Sequence, residues 1–300
     1  MRAREGDFLE TVEGLIFDVK GLVHPPERVV AYLRYVPDAE GDRERGGVRY
    51  RKVYPLEERT QVLEERWPRY VYFDEVYNRR LQGVPLERIK HVYRPVEGLR
   101  ELRKRSRLDD VEARAVELLD LLRSATDLPW RCLGVSGSLL TGLHVRGSDI
   151  DPVVYGVEAS ERVWEALRSL LHGPYGIQRY DESDLRRLYE FRSMERGMSF
   201  EDFLRHEGRK VLEGRFMGVD YFIRCVKRWD EVGERYGENV YYPVGDTVLR
   251  ATVEDDGECI FTPCKYLIKD VEVLEGRAEL PPSEIVSFRG RFCEQVFEGE

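Results

Sequence analysis

Cysteine is scarce in this chain: five residues, at positions 132, 225, 259, 264 and 293, odd in number and far apart. That usage excludes a disulfide scaffold, and with no Cys-x-x-Cys pair it offers no zinc-site spacing. A reducing compartment suits it, with an internal disulfide conceivable only in a hyperthermophile. Long apolar runs are missing too: no stretch approaches the ~18 residues of a membrane-spanning helix. Glu5, Asp7, Glu10, Glu13 and Asp18 interrupt the first twenty positions, which therefore lack the apolar centre of a signal peptide. The expectation is a cytoplasmic protein without membrane contact. Basic excess is absent as well: the formal net charge is −9, so a generic nucleic-acid footprint is excluded for the whole chain, though a local basic groove is not. Asn occurs only twice and Gln four times, while charged residues make up 35 %, a bias toward a thermophilic source. There is no internal repeat and no low-complexity segment.

What is present centres on Leu133 to Tyr155, which reads as a short apolar strand, a Gly-Ser turn, a brief helix and a second strand. Strand residues two apart share a face. Asp149 and Asp151 therefore project together with Ile150 packed behind them, a pair of hard oxygen ligands suited to a divalent cation. Gly137 and Ser138 stand where strand becomes helix, so free backbone N–H groups and the positive helix end would face an anion. The spacing predicts a phosphate cradle beside a metal site. A later run of strand formers, Gly218 to Val226, holds one carboxylate, Asp220.

Gly137-Ser138, ten residues, then Asp149-Ile150-Asp151 resembles the signature of the DNA polymerase β-type nucleotidyltransferase superfamily. The resemblance implies that Gly137 and Ser138 bind the nucleotide triphosphate and that Asp149 and Asp151 bind Mg²⁺, or Mn²⁺. It also implies a third catalytic and metal-binding acid on a later strand, for which Asp220 fits; Asp184 and Asp202 compete from helical contexts. Thr141, Ser148 and His144 are secondary candidates. The whole chain also resembles an archaeal group of predicted nucleotidyltransferases, through Gly14-Leu-Ile-Phe-Asp-Val-Lys-Gly21 and Ser287-Phe-Arg-Gly-Arg-Phe-Cys-Glu-Gln295. The implied activity is metal-dependent transfer of a nucleoside monophosphate from an NTP, ATP among them, to a hydroxyl of an RNA 3′ end, a protein or a small molecule, releasing pyrophosphate. The alternative is a noncatalytic nucleotide- or RNA-binding regulator with the same fold.

The expected fold class is α+β, with a polymerase β-like core of mixed sheet and helices over residues 106–235. An α+β region, 1–105, precedes it and a small all-β barrel or sandwich, 236–300, follows. In the first region, prolines punctuate short elements. Phe8 to Val23 reads as a hairpin, Val48 to Val53 as a strand and Leu56 to Arg66 as a helix, while Pro26 to Val36 fits either type. Tyr and Arg interleave at Tyr32-Leu-Arg-Tyr35 and Tyr50-Arg-Lys-Val-Tyr54, a pattern that fits a half-buried sheet or a base-stacking surface. Asp18, Lys20 and His24 stand out as polar residues in an apolar setting. Helical periodicity from Val96 to Arg123 breaks near Ser106 to Asp109, either of which could cap the second helix. Asp181 to Gly214 reads as a charged helical insert containing Arg205, Arg209 and Lys210. Short strands are expected at Val240 to Val244, Thr247 to Val253, Cys259 to Thr262, Tyr266 to Ile268, Val271 to Leu274 and Ile285 to Phe288.

Overall fold

A computed structural model describes residues 2–192, 198–278 and 280–300, and shows an α+β chain with several sheets and, among the described residues, seven α-helices. The N-terminal region is an antiparallel sheet of strands β1 (Phe8–Thr11), β2 (Ile16–Val19), β3 (Arg28–Pro37), β4 (Arg43–Arg45), β5 (Val48–Lys52), β6 (Val71–Asp74), β7 (Arg79–Pro85) and β8 (Ile89–Tyr93). Its central order is β4-β5-β3-β2-β1-β8, with β7 on β3 and β6 on β7. Helix α1 (Leu56–Arg66) buries Leu63 in a cluster with Leu9, Phe17, Leu33 and Tyr70. The segment from Pro26 to Val36, which sequence left open between helix and strand, is strand β3, as its β-branched and aromatic content favours.

Helix α2 (Pro95–Leu102) sends Leu99 and Leu102 into the second core. Asp109 then opens α3 (Asp110–Thr126) with a capping box: its carboxylate accepts the Glu112 N–H at 2.9 Å, and the Glu112 carboxylate accepts the Asp109 N–H at 3.1 Å. Strand β9 (Leu133–Val135), helix α4 (Gly137–Thr141), strand β10 (Pro152–Tyr155) and helix α5 (Val157–Leu170) follow. Gly156 caps α5, and Ser160 lies buried one turn inside. Next come β11 (Ile177–Gln178), helices α6 (Glu182–Arg192) and α7 (Phe200–Glu207), and strands β12 (Glu213–Phe216), β13 (Val219–Phe222) and β14 (Arg224–Val226). The helices of the expected insert are present; the residues between them, 193–197, lie outside the described part.

Strand β10 is antiparallel to β9 and parallel to β14. Just upstream Ile150 bridges Tyr221 in parallel: its N–H donates to the Asp220 carbonyl and its carbonyl accepts the Phe222 N–H, both at 2.9 Å. Strand β13 also pairs antiparallel with β12, which pairs with β11. The two small sheets are thus one mixed sheet running β9, β10, β13–β14, β12, β11.

Among the described residues, the C-terminal segment forms neither barrel nor sandwich. It is a three-stranded antiparallel sheet of β15 (Thr247–Glu258), β16 (Cys264–Gly276) and β17 (Glu284–Ser287), whose base shares the second core through Val253, Phe261, Cys264 and Tyr266. Val240 to Val244 is no strand: the Tyr241 N–H donates to the Val76 carbonyl at 2.7 Å, and its ring stacks on Tyr77 at 5.3 Å. The two expected strands at 266–268 and 271–274 are one, because Asp270 takes a left-handed conformation (φ 52°) and lets the strand continue past it. No helix among the described residues is long and apolar enough to cross a membrane.

Candidate functional site

The mixed sheet alternates cleanly around the expected site. Ile150, Val154, Tyr221, Ile223 and Cys225 point into the second core. Their neighbours must then point to the other face, and the parallel register sets Asp149 beside Asp220, Asp151 beside Phe222 and Val153 beside Arg224. Asp149 and Asp151 flank the isolated bridge at Ile150, just ahead of β10, and the register sets them on the same face as Asp220 of β13. Arg215 and Glu213 pair across β12–β13 with Asp220 and Phe222 and belong to that face too.

Gly137 is fixed by two separate demands. Its φ of +63° is a conformation L side chains avoid, and a Cβ there would fall onto the Asp151 carboxylate, leaving room for none. The Ser136 hydroxyl, which could have capped α4, donates instead to the Gly6 carbonyl at 2.6 Å. The helix therefore starts without a side-chain cap, and its first N–H groups have no carbonyl one turn back. The Ser138 hydroxyl is buried without a partner among the described residues, an arrangement that needs an explanation in a native structure. On the far side Arg45, from the N-terminal sheet, holds the end of α4 by donating to the Thr141 carbonyl at 2.9 Å, and Arg43 donates to the Leu143 carbonyl at 2.7 Å.

Charge is unbalanced at the acid pair. Burial, and after it the Asp149 carboxylate, push the Asp151 carboxyl from the ordinary 3.8 up to about 7, against the pull of Arg224, Lys52 and Arg34. Two of those cations, Arg34 and Lys52, come from β3 and β5, so the N-terminal sheet forms the opposite wall. Tyr54 continues that wall: its exposed ring has Lys52 at 4.6 Å and Arg34 at 5.5 Å, and meets Phe191 of α6 edge-on at 6.0 Å. Tyr180 completes the face, its hydroxyl held above the usual range by burial and by Asp220, Glu213 and Asp149.

Asp220 is engaged already. Its carboxylate accepts from Arg215 Nε at 3.0 Å and lies 3.5 Å from Arg187, and the same two arginines reach Asp184 at 3.3 and 3.1 Å. Asp184 thus belongs to the surroundings of Asp220, while Asp202 is exposed and bonded to Ser199 and Arg205 at the start of α7. His144 pairs with Asp109 at 2.7 Å. Asp109, Glu112 and His144 offer ligand atoms within 4.8 Å of one another, but the capping box and the Arg105–Glu112 ion pair already employ both carboxylates. Thr141 bonds back to its own helix and Ser148 bonds the Val145 N–H. Lys210 is buried among Glu207 and Glu213, and Arg209 pairs with Glu300.

Sequence reasoning missed Arg34, Lys52, Arg224, Arg215 and Tyr180. The Tyr-Arg interleaving of residues 32–35 and 50–54 was the only local signal for the first two. Asp18 and Lys20 join a buried ion network: Lys20 lies 2.9 Å from Glu5 and 3.0 Å from Asp18, and Arg224 pairs with Glu5 and sits 3.9 Å from Asp18. His24 stands outside it, donating through Nε2 to the Ala3 carbonyl and accepting the Val30 N–H; burial keeps it neutral, with its pKa near 4.

These features define an α+β protein in which carboxylates on one face of the mixed sheet are set against cations of the antiparallel sheet and of β14. The chain is 30 % identical over a 319-position alignment to Uncharacterized protein MJ1086 of Methanocaldococcus jannaschii, covering all of this chain and 88 % of that protein, and it belongs to that protein's family. No family model and no solved structure matches it.

Proposed function

We propose that the protein is a divalent-metal-dependent nucleotidyltransferase of the polymerase β type. One observation carries the reading: the carboxylates flanking the Ile150 bridge and Asp220 on the neighbouring strand share a face with a helix start that forbids a Cβ at Gly137 and leaves the Ser138 hydroxyl without a partner among the described residues. The donor set suits Mg²⁺ or Mn²⁺, being all oxygen and hard, and the mutual repulsion of Asp149 and Asp151 is what a bound dication would relieve. Asp149 and Asp151 would hold the metal and Asp220 would complete the set. When bound, such ions neutralise phosphate charge and favour the ionised acceptor hydroxyl.

The chain's own residues then have definite tasks. Ser138 offers its hydroxyl and N–H, and Gly137 its N–H, to the outer phosphates of the NTP. Lys52 and Arg34 balance charge from the opposite wall, and the Tyr54 ring gives a nucleobase a face to stack on. In the reaction an acceptor oxygen forms a bond to the α-phosphorus, the α–β anhydride bond breaks, pyrophosphate leaves and the hydroxyl proton passes to solvent or a site carboxylate.

A second reading, a nucleotide- or RNA-binding regulator without turnover, draws on the two arginines that occupy Asp220. One experiment separates them. The protein is incubated with each labelled NTP and Mg²⁺ or Mn²⁺, alone and with total RNA. Metal-dependent transfer of label that disappears in Asp151→Asn supports the enzyme; nucleotide binding without transfer in every combination supports the regulator.

A further inference from the structure

Four of the five cysteines, Cys225, Cys259, Cys264 and Cys293, are buried in the second core, where the C-terminal sheet joins it, and Cys132 is partly exposed. Two of the four are in contact. Cys264 opens β16 and pairs in register with Ser287 of β17, its Sγ donating to the Ser287 carbonyl at 3.6 Å. Cys293 directly follows the 3₁₀ turn Gly290–Phe292, which closes over the same end of the sheet. Its Sγ lies 3.1 Å from the Phe261 carbonyl and 3.8 Å from the Thr262 hydroxyl, two residues before Cys264. The Cys264 and Cys293 thiols also hydrogen-bond to each other.

The two backbones are held in this relation. Tyr266, two residues beyond Cys264 and buried on the same side of β16, donates its hydroxyl proton to the Phe292 carbonyl at 2.5 Å and accepts the Gln295 N–H at 3.1 Å, so that Cys293 lies between its two contacts. The Glu294 N–H donates to the Cys259 carbonyl at 3.1 Å, and the buried Glu294 carboxylate accepts from Trp164 Nε1 at 2.7 Å and from the Leu212 N–H at 2.9 Å. A disulfide needs Cα atoms within about 7 Å; residues on both sides of Cys264, Thr262 and Tyr266, touch the Cys293 segment. That segment belongs to the Ser287–Gln295 motif. Phe288 packs on Gly21 of the other motif, where a Cβ would come within 3.1 Å of its ring, and Gly290 packs on Phe222 with no room for a Cβ. Phe222 is the register neighbour of Asp151. Whatever fastens Cys293 therefore fastens the packing beside the acid pair.

We infer that Cys264 and Cys293 are a reversible dithiol–disulfide pair, closed by a low-molecular-weight disulfide, and that closing it locks the Ser287–Gln295 motif onto the C-terminal sheet. The inference is independent of the nucleotidyltransferase reading. The outer segment over the pair exposes Ile285, Val286, Phe288 and Phe292, and lifting it uncovers both sulfurs. Cys264 is the attacking thiol: its hydrogen bond with Cys293 draws it below the ordinary thiol range and pushes Cys293 well above. Burial pushes Cys225 and Cys259 up to about 12, which leaves them poor nucleophiles. In the first step the Cys264 thiolate forms a bond to one sulfur of the small disulfide, whose S–S bond breaks and releases a thiolate. Cys293 then gives up its proton and attacks Cys264 Sγ, displacing the second small thiolate. Two protein thiols are oxidised to one disulfide, one small disulfide is reduced to two thiols, and the two protein protons end on those thiols.

The test incubates the full-length protein overnight with oxidised glutathione, counts thiols in denaturant and maps peptides by mass spectrometry without reduction. The five thiols should fall by two, with a single cross-linked peptide joining Cys264 to Cys293. Tm should rise by about 5 °C, as expected for closing a loop of roughly thirty residues, and dithiothreitol should reverse the rise. Amide exchange in residues 287–295 should slow on oxidation. Cys293→Ser should stop at the first step and carry one glutathione on Cys264, while Cys264→Ser should take up none on Cys293. The parent's peptide map carries the test where a variant fails to fold. Five thiols retained, a cross-link through Cys225 or Cys259, or a cross-link between two copies of the chain would overturn the inference. So would an oxidised protein with a lower Tm, or one whose exchange at residues 287–295 is unchanged.

Discussion

Replacing Asp149 by Asn tests the charge logic of the cleft without touching its shape. The displacement of the Asp151 carboxyl from 3.8 to about 7 corresponds to roughly 4 kcal/mol in the absence of screening, and solvent at the half-buried side chain reduces it well below that. Burial is its first cause and Asp149 its second, so the substitution should recover on the order of 1 kcal/mol, about 2 °C in Tm for a chain of this size. The sign depends on pH. A carboxyl whose folded pKa is raised lowers stability only once the unfolded state ionises, from about pH 4 upward, and the full penalty is present above about pH 7. Scanning calorimetry in chelator should therefore find Asp149→Asn more stable than the parent at about pH 8 and equal to it near pH 4. Added Mn²⁺ should stabilise the parent and leave the variant unmoved. A loss of more than about 5 °C at pH 8 would make Asp149 a structural residue, and an equal gain at both pH values would show that repulsion is not what it relieves; either result refutes the metal-site argument.

Gly137→Ala must change both a positive φ and the position of Asp151; it should cost about 1–2 kcal/mol, visible in urea unfolding, and weaken Mn²⁺ binding more than that loss of stability explains. Arg215→Gln frees one side of Asp220, so Mn²⁺ affinity measured by electron paramagnetic resonance should rise several-fold; unchanged affinity would remove Asp220 from the metal set. Tyr54→Ala removes an exposed ring between two cations and should reduce NTP affinity about tenfold with Tm unchanged, stacking on one base being worth ~1–3 kcal/mol. Glu294→Ala leaves buried N–H groups of Val211 and Leu212 unpaired and should lower stability by about 3 kcal/mol in urea unfolding.

The parts of the structure legible in the sequence are those set by local rules. Strand alternation around Ile150 was enough to put Asp149 and Asp151 on one face, and the isolated carboxylate among strand formers at Asp220 falls on the neighbouring strand. Helix α1 and the Asp109 cap were readable because periodicity and capping act within a few residues. What could not be read depends on contacts distant in sequence. Nothing local tells that Arg34 faces an acid 117 positions later, since an arginine on a half-buried strand is equally at home over a tyrosine, as its contact with Tyr54 shows. The Arg215 and Arg187 partners of Asp220 were hidden because they arrive from a hairpin and a helix whose packing no periodicity fixes. The C-terminal region misled for the opposite reason: the stretch near Val240 has strand-like residues but spends them on contacts with Val76 and Tyr77 rather than on a ladder.

The same cation placement removes an apparent conflict between composition and function. A chain of net charge −9 repels polyanions at long range, and over distances beyond a Debye length of roughly 8 Å that repulsion is screened. At the acid pair cations act locally: Arg34, Lys52 and Arg224 pull the Asp151 carboxyl toward ionisation against its burial and the Asp149 charge. An acidic chain with cations confined to the neighbourhood of the acid pair therefore favours a ligand small or terminal enough to reach them, over one that must lie along the outside. By that reasoning an internal stretch of nucleic acid is the wrong occupant, whereas a nucleotide or a phosphorylated chain end can reach the cations without crossing the acidic surface. Raising the salt concentration should then strengthen, not weaken, any contact that long RNA makes with the outer surface, the reverse of the slope expected for a basic binding groove.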